Sequence, residues 1–280
     1  MPLGPLVSPE SLRAAAEPYL LLDARPGAAT FAGGHLPGAR HADLEASLSD
    51  ATAPGFDPSR GGRHPLPALA RWAAQLEAWG IGPATQVVVY DAAGGANAAC
   101  RAWWMLRAVG HRAAAVLDGG LPAALAAGFT LSEAEAAAPG DGPAYPVSGW
   151  RLPVADLEGV AQRLSQPGWK VLDVRSRERW RGESEPIDPM PGRIPGTINL
   201  PFAANLDASG RFKPPAALRT QYLALLGGTP PEQLVVHCGS GVTACHTLLA
   251  LELAGLPGAS LYVGSYGEWC RRGRPLGKGP

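Results

Sequence analysis

LLLDARPGAATFAGGHLPGARH, beginning at Leu20, returns later in the chain as VLDVRSRERWRG…PGRIPGTINLPF, beginning at Val171. QVVVYDAAGGANAACRAWWML, from Gln86, returns as QLVVHCGSGVTACHTLLAL, from Gln233, and AVLDGGLPA, from Ala115, returns as LYVGSYGEW, from Leu261. Asp23 thus matches Asp173, Asp91 matches Cys238 and Gly119 matches Gly264, in one order and at nearly constant offset. Ordered matches of this kind identify an internal duplication. Two domains follow, residues 1–130 and 150–280, each within the ordinary domain size. Residues 131–149, LSEAEAAAPGDGPAYPVSG, are rich in Ala, Pro and Gly without periodicity, which suits a linker.

Within each copy, short apolar runs alternate with helical spacing. Leu20–Asp23, Val87–Tyr90 and Ala114–Leu117 read as buried strands, with Lys170–Val174, Leu234–His237 and Ser260–Val263 as their counterparts. Leu66–Trp79, Asn97–Val109, Ala216–Leu226 and Thr243–Ala254 have the spacing and length of helices. The alternation predicts an α/β fold: in each domain, a mostly parallel sheet flanked by helices. Ligands of such sheets bind beyond the carboxyl ends of the strands.

Composition narrows the function. The chain is 46% hydrophobic and 17% charged, as expected of a globular protein with a core. Its 24 basic and 24 acidic residues balance to zero net charge, which argues against nucleic-acid and membrane-surface partners. No apolar run approaches the roughly 20 residues of a spanning helix. The N-terminus lacks the basic and apolar regions of a signal peptide. The four cysteines, Cys100, Cys238, Cys245 and Cys270, form no CxxC pair and no metal-ligand spacing. A soluble protein in a reducing, cytoplasmic setting is the expectation.

Cys238 carries the chemistry. It ends a predicted buried strand and opens the loop Gly239, Ser240, Gly241, Val242, Thr243, Ala244 before a helix. A thiol attacks well only as thiolate. The two glycines permit a tight curl in which successive backbone N–H groups face inward as an anion nest, and the helix start adds the positive end of its dipole. The loop has no lysine or arginine of its own, so its backbone is expected to carry most of the stabilisation. A buried, inert cysteine is the plain alternative, and the Gly-Ser-Gly loop beyond a parallel strand weighs against it. His237-Cys238 also begins the pattern of the cysteine phosphatases. Their arginine would fall at Ala244, so the bidentate phosphate grip is missing.

The loop Cys238-Gly-Ser-Gly-Val-Thr-Ala244 resembles the active-site loop of the rhodanese-type sulfurtransferases, in particular the 3-mercaptopyruvate group. HLPGA from His35, RAWWMLRAVGH from Arg101, LDGG from Leu117 and RWRG…IPGTINLPF from Arg179 extend the resemblance over nearly the whole chain. The resemblance implies two tandem rhodanese-like domains and a two-step sulfur relay that needs no metal or organic cofactor. Cys238 takes a sulfane sulfur from a small anionic donor, 3-mercaptopyruvate or thiosulfate. It becomes a persulfide and passes the sulfur to cyanide or to a thiol acceptor such as thioredoxin or a low-molecular-weight thiol. It also implies a Ser240–His64–acid relay, with Glu45 or its neighbour Asp43 as the acid. Arg179, with Arg181 beside it, would grip the donor, and the loop residues Gly239 to Ala244 would cradle it. The first copy carries Asp91 where the second has Cys238 and is expected to be inactive, since a carboxylate cannot accept a sulfane sulfur. A non-enzymatic persulfide relay is the alternative from another functional class.

The chain departs from the family pattern at three places. The segment after Glu185-Pro186 has Ile187 and Asp188 where a second substrate arginine is expected. Arg193 replaces a histidine, and Val263-Gly264-Ser265-Tyr266 replaces an Asp-Gly-Ser-Trp segment. The terminal RRGRPLGKGP reads as a frayed tail.

Overall fold

The computed structural model describes residues 4–96, 98–134 and 145–279. Part of the expected linker (135–144) and Asn97, the expected first residue of a helix, lie outside the described residues. The chain divides into two compact units. One comprises Met1–Asp50, Pro67–Arg151 and Ala208–Phe212; the other comprises Ala51–Leu66, Leu152–Asp207 and Lys213–Pro280. Each unit therefore includes a segment from the other half of the sequence. The segment that contains His64 belongs with the second sheet.

The first unit contains strands β1 (Leu6–Val7), β2 (Leu20–Asp23), β3 (Arg40–His41), β4 (Val87–Tyr90) and β5 (Ala114–Leu117). Its helices are α1 (Pro9–Arg13), α2 (Ala28–Ala32), α3 (Leu69–Ala78), α4 (Ala99–Ala108) and α5 (Gly120–Ala126). The sheet is parallel throughout, in the order β1-β5-β4-β2-β3.

The second unit repeats this arrangement with β6 (Val154–Ala155), β7 (Lys170–Asp173), β8 (Ile198–Asn199), β9 (Leu234–His237) and β10 (Ser260–Tyr262). Its helices are α6 (Leu157–Leu164), α7 (Arg177–Arg181), α8 (Pro215–Leu226), α9 (Ala244–Leu253) and α10 (Ser265–Arg271). The order is β6-β10-β9-β7-β8, again all parallel.

The central strands VVVY and LVVH are buried at every position, as strands covered on both faces must be. Helix α9 is buried at every residue from Ala244 to Leu251. A helix apolar on all sides belongs in a core. The chain leaves β7 toward β8 on one side and β9 toward β10 on the other, so the crevice of this topology opens at the carboxyl ends of β7 and β9.

The repeated Asp-x-Arg accounts for part of the sequence match. Arg25 Nε and Nη2 donate to both oxygens of Asp23 and Nη2 reaches Gly34 O at 2.6 Å. Arg175 does the same on Asp173 and reaches Gly192 O at 2.8 Å. In both copies the ion pair ties the end of an inner strand to the following loop, and both partners are buried.

Sequence spacing and structure differ at element ends. α3 begins at Leu69 rather than Leu66 because Pro65 and Pro67 lack amide protons and bias their neighbours toward extended backbone. The four edge strands have two residues each, too short for any alternation to show. The expected frayed tail is instead docked. Gly277 and Arg193 exchange both backbone hydrogen bonds at 2.9 Å, Gly279 N donates to Arg181 O at 2.9 Å, and Trp269 Nε1 donates to Pro275 O at 2.8 Å. Among the described residues, no helix is long and apolar enough to cross a membrane.

His111, His237 and His246 are buried, and desolvation holds each imidazole below its ordinary pKa, His246 down to about 3. The unfolded chain takes up protons at these sites as the pH falls through about 6.5, while the native chain does not. Their stabilisation is therefore present above that pH and is lost below it, by up to about 1.4 kcal/mol per pH unit for each histidine. Urea titrations should give an unfolding free energy that falls from pH 7.5 to pH 5. His246→Gln should flatten that slope. A slope unaltered by the substitution would place the pH dependence elsewhere.

Candidate active site

β9 delivers Cys238 to the carboxyl edge of the second sheet, buried to 4% exposure. Its backbone is held from both sides. Cys238 N donates to Ser265 Oγ at 3.2 Å, and Cys238 O accepts from Tyr266 N at 3.0 Å. Gly239 O accepts from Gly267 N at 2.9 Å. Ser265 Oγ in turn donates to Tyr262 O at 2.8 Å. Among the described residues, Ser265 is the only non-glycine with positive φ, at 56°. Its counterpart in the first copy is Gly120, also at positive φ. The serine thus accepts backbone strain and supplies the hydroxyl that fixes the cysteine.

The loop then curls back toward the sulfur. Ser240 N donates to Cys238 Sγ at 3.5 Å. Gly241 has φ +72°, and a β-carbon there would lie 2.5 Å from Val263 O, so only glycine fits. Val242 is buried, Thr243 stands at the N-cap position of α9 without a side-chain capping bond, and Ala244 opens the helix.

The first copy shows what this loop shape can hold. Asp91 turns its carboxylate into its own loop, where Oδ1 accepts from Ala93 N at 2.8 Å and Gly95 N at 2.9 Å. Its Oδ2 accepts from Ala99 N at 3.2 Å. The duplicated loop is an anion cradle, filled in one copy by a side chain of the chain itself.

The structure brings together two of the three residues named for the relay. His64 Nδ1 lies 2.9 Å from Ser240 Oγ. The segment that carries His64 is fastened close by. Gly61 N donates to Glu268 Oε1 at 2.8 Å, and Glu268 Oε2 accepts from Tyr262 OH at 2.9 Å. A β-carbon on Gly62 would lie 2.5 Å from Gly264 O.

The two acid candidates lie in the first unit. Glu45 is exposed on a turn. Burial alone would raise the Asp43 pKa, but the N–H groups of Ala46, Gly27 and Glu45 donate to its carboxylate and hold it below its ordinary value. Asp43 is thus occupied in shaping the turn.

Arg179 sits beside the cysteine loop. Its Nε and Nη2 donate to Glu185 at 3.1 and 2.7 Å, and Nη2 lies 3.5 Å from Asp188 Oδ2. Burial would raise the Glu185 pKa, but Arg179 and the N–H groups of Asp188 and Ile187 outweigh it and keep the carboxyl below its usual range. Arg181 pairs with Glu183 at 3.7 Å. Arg193 lies over the Trp180 ring at 4.1 Å and donates to Gly279 O at 2.6 Å, in the docked tail.

Sequence reasoning missed Arg63, Asp188 and Arg271. Arg63 Nε donates to Asp188 Oδ1 at 3.1 Å, and Arg271 Nη1 donates to the same oxygen at 2.8 Å. A β-carbon on Gly239 would lie 3.0 Å from Arg63 Nη2 and 3.3 Å from Arg179 Nη2. The loop has no cation of its own, yet two guanidiniums rest on the residue after the cysteine. The adjacency of Arg63 to His64 was the one available signal. Among the described residues, no three His, Cys, Asp or Glu side chains converge as metal ligands.

A buried cysteine at the mouth of an anion cradle, in a duplicated parallel α/β unit, defines the class. The chain belongs to the rhodanese family: the Rhodanese-like domain model matches residues 8–127 and 156–272. It is 47% identical over 253 residues to a Pseudomonas aeruginosa protein named "Probable 3-mercaptopyruvate sulfurtransferase", covering 90% of this chain and 86% of that one. It is 38% identical over 272 residues to the Mycobacterium tuberculosis "Putative thiosulfate sulfurtransferase SseB", covering 95% and 93%. Among solved structures, the 3-mercaptopyruvate sulfurtransferase of Leishmania major superposes with a TM-score of 0.83 at 27% identity, covering 97% of this chain and 75% of that one.

Ser265 gives a prediction about stability. Ser265→Ala and Ser265→Gly both lose the hydroxyl that links Cys238 N to Tyr262 O. Only alanine also keeps the left-handed strain, roughly 1–2 kcal/mol. Urea unfolding should rank wild type as most stable, glycine next and alanine last. Alanine equal to or above glycine would show that the backbone at 265 is not strained.

Proposed function

We propose that this protein is a sulfurtransferase that moves a sulfane sulfur from 3-mercaptopyruvate, through a persulfide on Cys238, to a thiol acceptor or cyanide. The observation that carries this reading is Cys238 Sγ in its cradle with the Ser240–His64 pair beside it. The Cys238 thiolate attacks the donor sulfur, an S–S bond forms and the donor's C–S bond breaks. The electron pair leaves with the three-carbon fragment as the enolate of pyruvate, which takes up a proton. His64, through Ser240 Oγ, lies in line to move the proton that the donor thiol gives up. An acceptor thiolate, such as that of thioredoxin or a low-molecular-weight thiol, then attacks the outer sulfur and releases Cys238. The two steps are redox-neutral and follow covalent, ping-pong logic.

The first unit takes no sulfur in this reading, because Asp91 fills its loop. The reduced thiol that the cycle needs fits a cytoplasmic setting. Thiosulfate is the second reading for the donor. Two guanidiniums against Gly239 suit a dianion, and several relatives carry the name thiosulfate sulfurtransferase.

Cys238→Ser should abolish sulfur transfer to cyanide with either donor, and mass spectrometry of the wild type after donor treatment should find one added sulfur on the Cys238 peptide. Turnover surviving in the variant would move the carrier to Cys100, Cys245 or Cys270. His64→Ala should lower the rate with 3-mercaptopyruvate by about 10²–10⁴-fold. The rate with thiosulfate, which carries no thiol proton at neutral pH, should fall less. Equal losses with both donors would make His64 a structural residue, and comparing the wild-type rates with the two donors decides between them.

A further inference from the structure

α10 holds the nucleophile with its first turn. Tyr266 N donates to Cys238 O, Gly267 N donates to Gly239 O, and Ser265 Oγ accepts from Cys238 N. One turn on from Gly264, Glu268 is buried and folds its side chain back over that glycine, where a β-carbon would run into the carboxylate. Glu268 Oε1 accepts from Gly61 N at 2.8 Å, and Oε2 accepts from Tyr262 OH at 2.9 Å. Burial and the adjacent carboxylate drive the Tyr262 hydroxyl far above its ordinary pKa, so it stays a donor. A carboxylate buried to this degree persists only when its oxygens are bonded. One donor here comes from β10, and the other comes from the segment that carries His64.

That segment lies against α10 with no room to spare. Gly61 and Gly62 both have positive φ, at 82° and 83°, and a β-carbon on Gly62 would lie 2.5 Å from Gly264 O. Three residues after Gly61, His64 Nδ1 stands 2.9 Å from Ser240 Oγ.

The first copy anchors its own inserted segment differently. Phe212 N donates to Asp118 Oδ1 at 2.9 Å, and Arg211 Cγ would lie 3.2 Å from a β-carbon on Gly119, the match of Gly264. At the same offset Leu117, Asp118 and Ala123 match Tyr262, Val263 and Glu268. The anchoring carboxylate thus stands just before the glycine in one copy and four residues after it in the other. Tyr262 accompanies the second placement, in the copy that carries the cysteine.

We propose that Glu268 is the positioning residue of the relay: it seats the Gly61–His64 segment on α10 so that His64 Nδ1 meets Ser240 Oγ. The proposal rests on the sulfurtransferase reading for the use made of His64, but the seating itself does not depend on it.

The test compares the full chain with Glu268→Ala, Glu268→Gln and Gly62→Ala, the last disturbing the same contact from the other side. Hydrogen–deuterium exchange over residues 61–64 should quicken about tenfold or more in Glu268→Ala and Gly62→Ala, the loss of one charge-assisted bond. Glu268→Gln, whose amide oxygen can still accept from Gly61 N, should stay close to wild type. In transfer to cyanide, kcat with 3-mercaptopyruvate should fall roughly ten- to a hundredfold in Glu268→Ala and Gly62→Ala, as expected of a misplaced proton carrier. The rate with thiosulfate should fall less, and Glu268→Gln should recover most of the loss. In the His64→Ala background, Glu268→Ala should cost nothing further.

Exchange over residues 61–64 unchanged in Glu268→Ala and Gly62→Ala overturns the proposal. So does a further loss in the His64→Ala background as large as in wild type, which would make Glu268 a support of the cysteine loop. If the wild type transfers sulfur from neither donor, the sulfurtransferase reading falls, while the exchange rates still decide whether Glu268 seats the segment.

Discussion

Asp188 binds three separate pieces of the second unit to one buried charge. Arg63 comes from the segment before α3, Arg179 from α7 and Arg271 from the end of α10. A carboxylate with no exposed surface is costly to desolvate, and the cost is offset only while its cationic partners stay in place. The cysteine loop rests on the same frame. Gly239 lies against Arg63, Arg179 and Asp188 itself, and its carbonyl is held by Gly267 at the start of α10. The ion cluster and the loop are one construction. A shift in any of the three pieces would be felt at the residue after the nucleophile.

The architecture was legible because its signals are long and repeated. β2, β4, β5 and β9 fall on the expected residues, since each has at least three consecutive apolar residues in a short, largely buried run. The edge strands were not legible, because two residues carry no period. Cys238, Ser240 and His64 were legible through a loop pattern and a resemblance. Arg63 and Asp188 were not, because their meaning lies in a contact between residues far apart in sequence. A second cation is expected close to Arg179 in sequence, and Ile187 and Asp188 stand there instead. Asp188 instead pairs with Arg63, which arrives from the stretch that carries His64. The tail was misread for a related reason. Its polar, glycine-rich composition gives no sign of the backbone pairing that Arg193 offers it.

The two copies keep the same frame and differ in what the frame holds. In both, an Asp-x-Arg ion pair closes the end of an inner strand. The neighbouring central strand differs at its last position. Tyr90 OH donates to Asp23 Oδ2 at 2.8 Å, whereas His237 Nε2 stands 3.8 Å from Asp173 Oδ2. Burial drives the Tyr90 hydroxyl far above its ordinary pKa, so it stays a neutral donor. Burial holds His237 low, and the nearby carboxylate only partly opposes it. Each copy thus places an uncharged ring under its loop, and the charge at the strand end is left to the next residue.

That next residue decides the chemistry. With aspartate, the loop's inward N–H groups are satisfied by a fixed charge that cannot leave, and the cradle is closed to other anions. With cysteine, the side chain is shorter by one oxygen-bearing group and ends in a polarisable sulfur. Ser240 N donates to that sulfur, and charge carried on it can arrive and depart. The glycine at 120 becomes serine at 265 in the same change, and its hydroxyl takes over the hold on the strand end through Cys238 N. Backbone strain at 265 is thus tied to keeping the nucleophile rigid while the group it carries changes. A scaffold able to hold a permanent anion needs few changes to hold a transient one, because the loop is kept and the guanidiniums of Arg63 and Arg179 stand against Gly239 beside it.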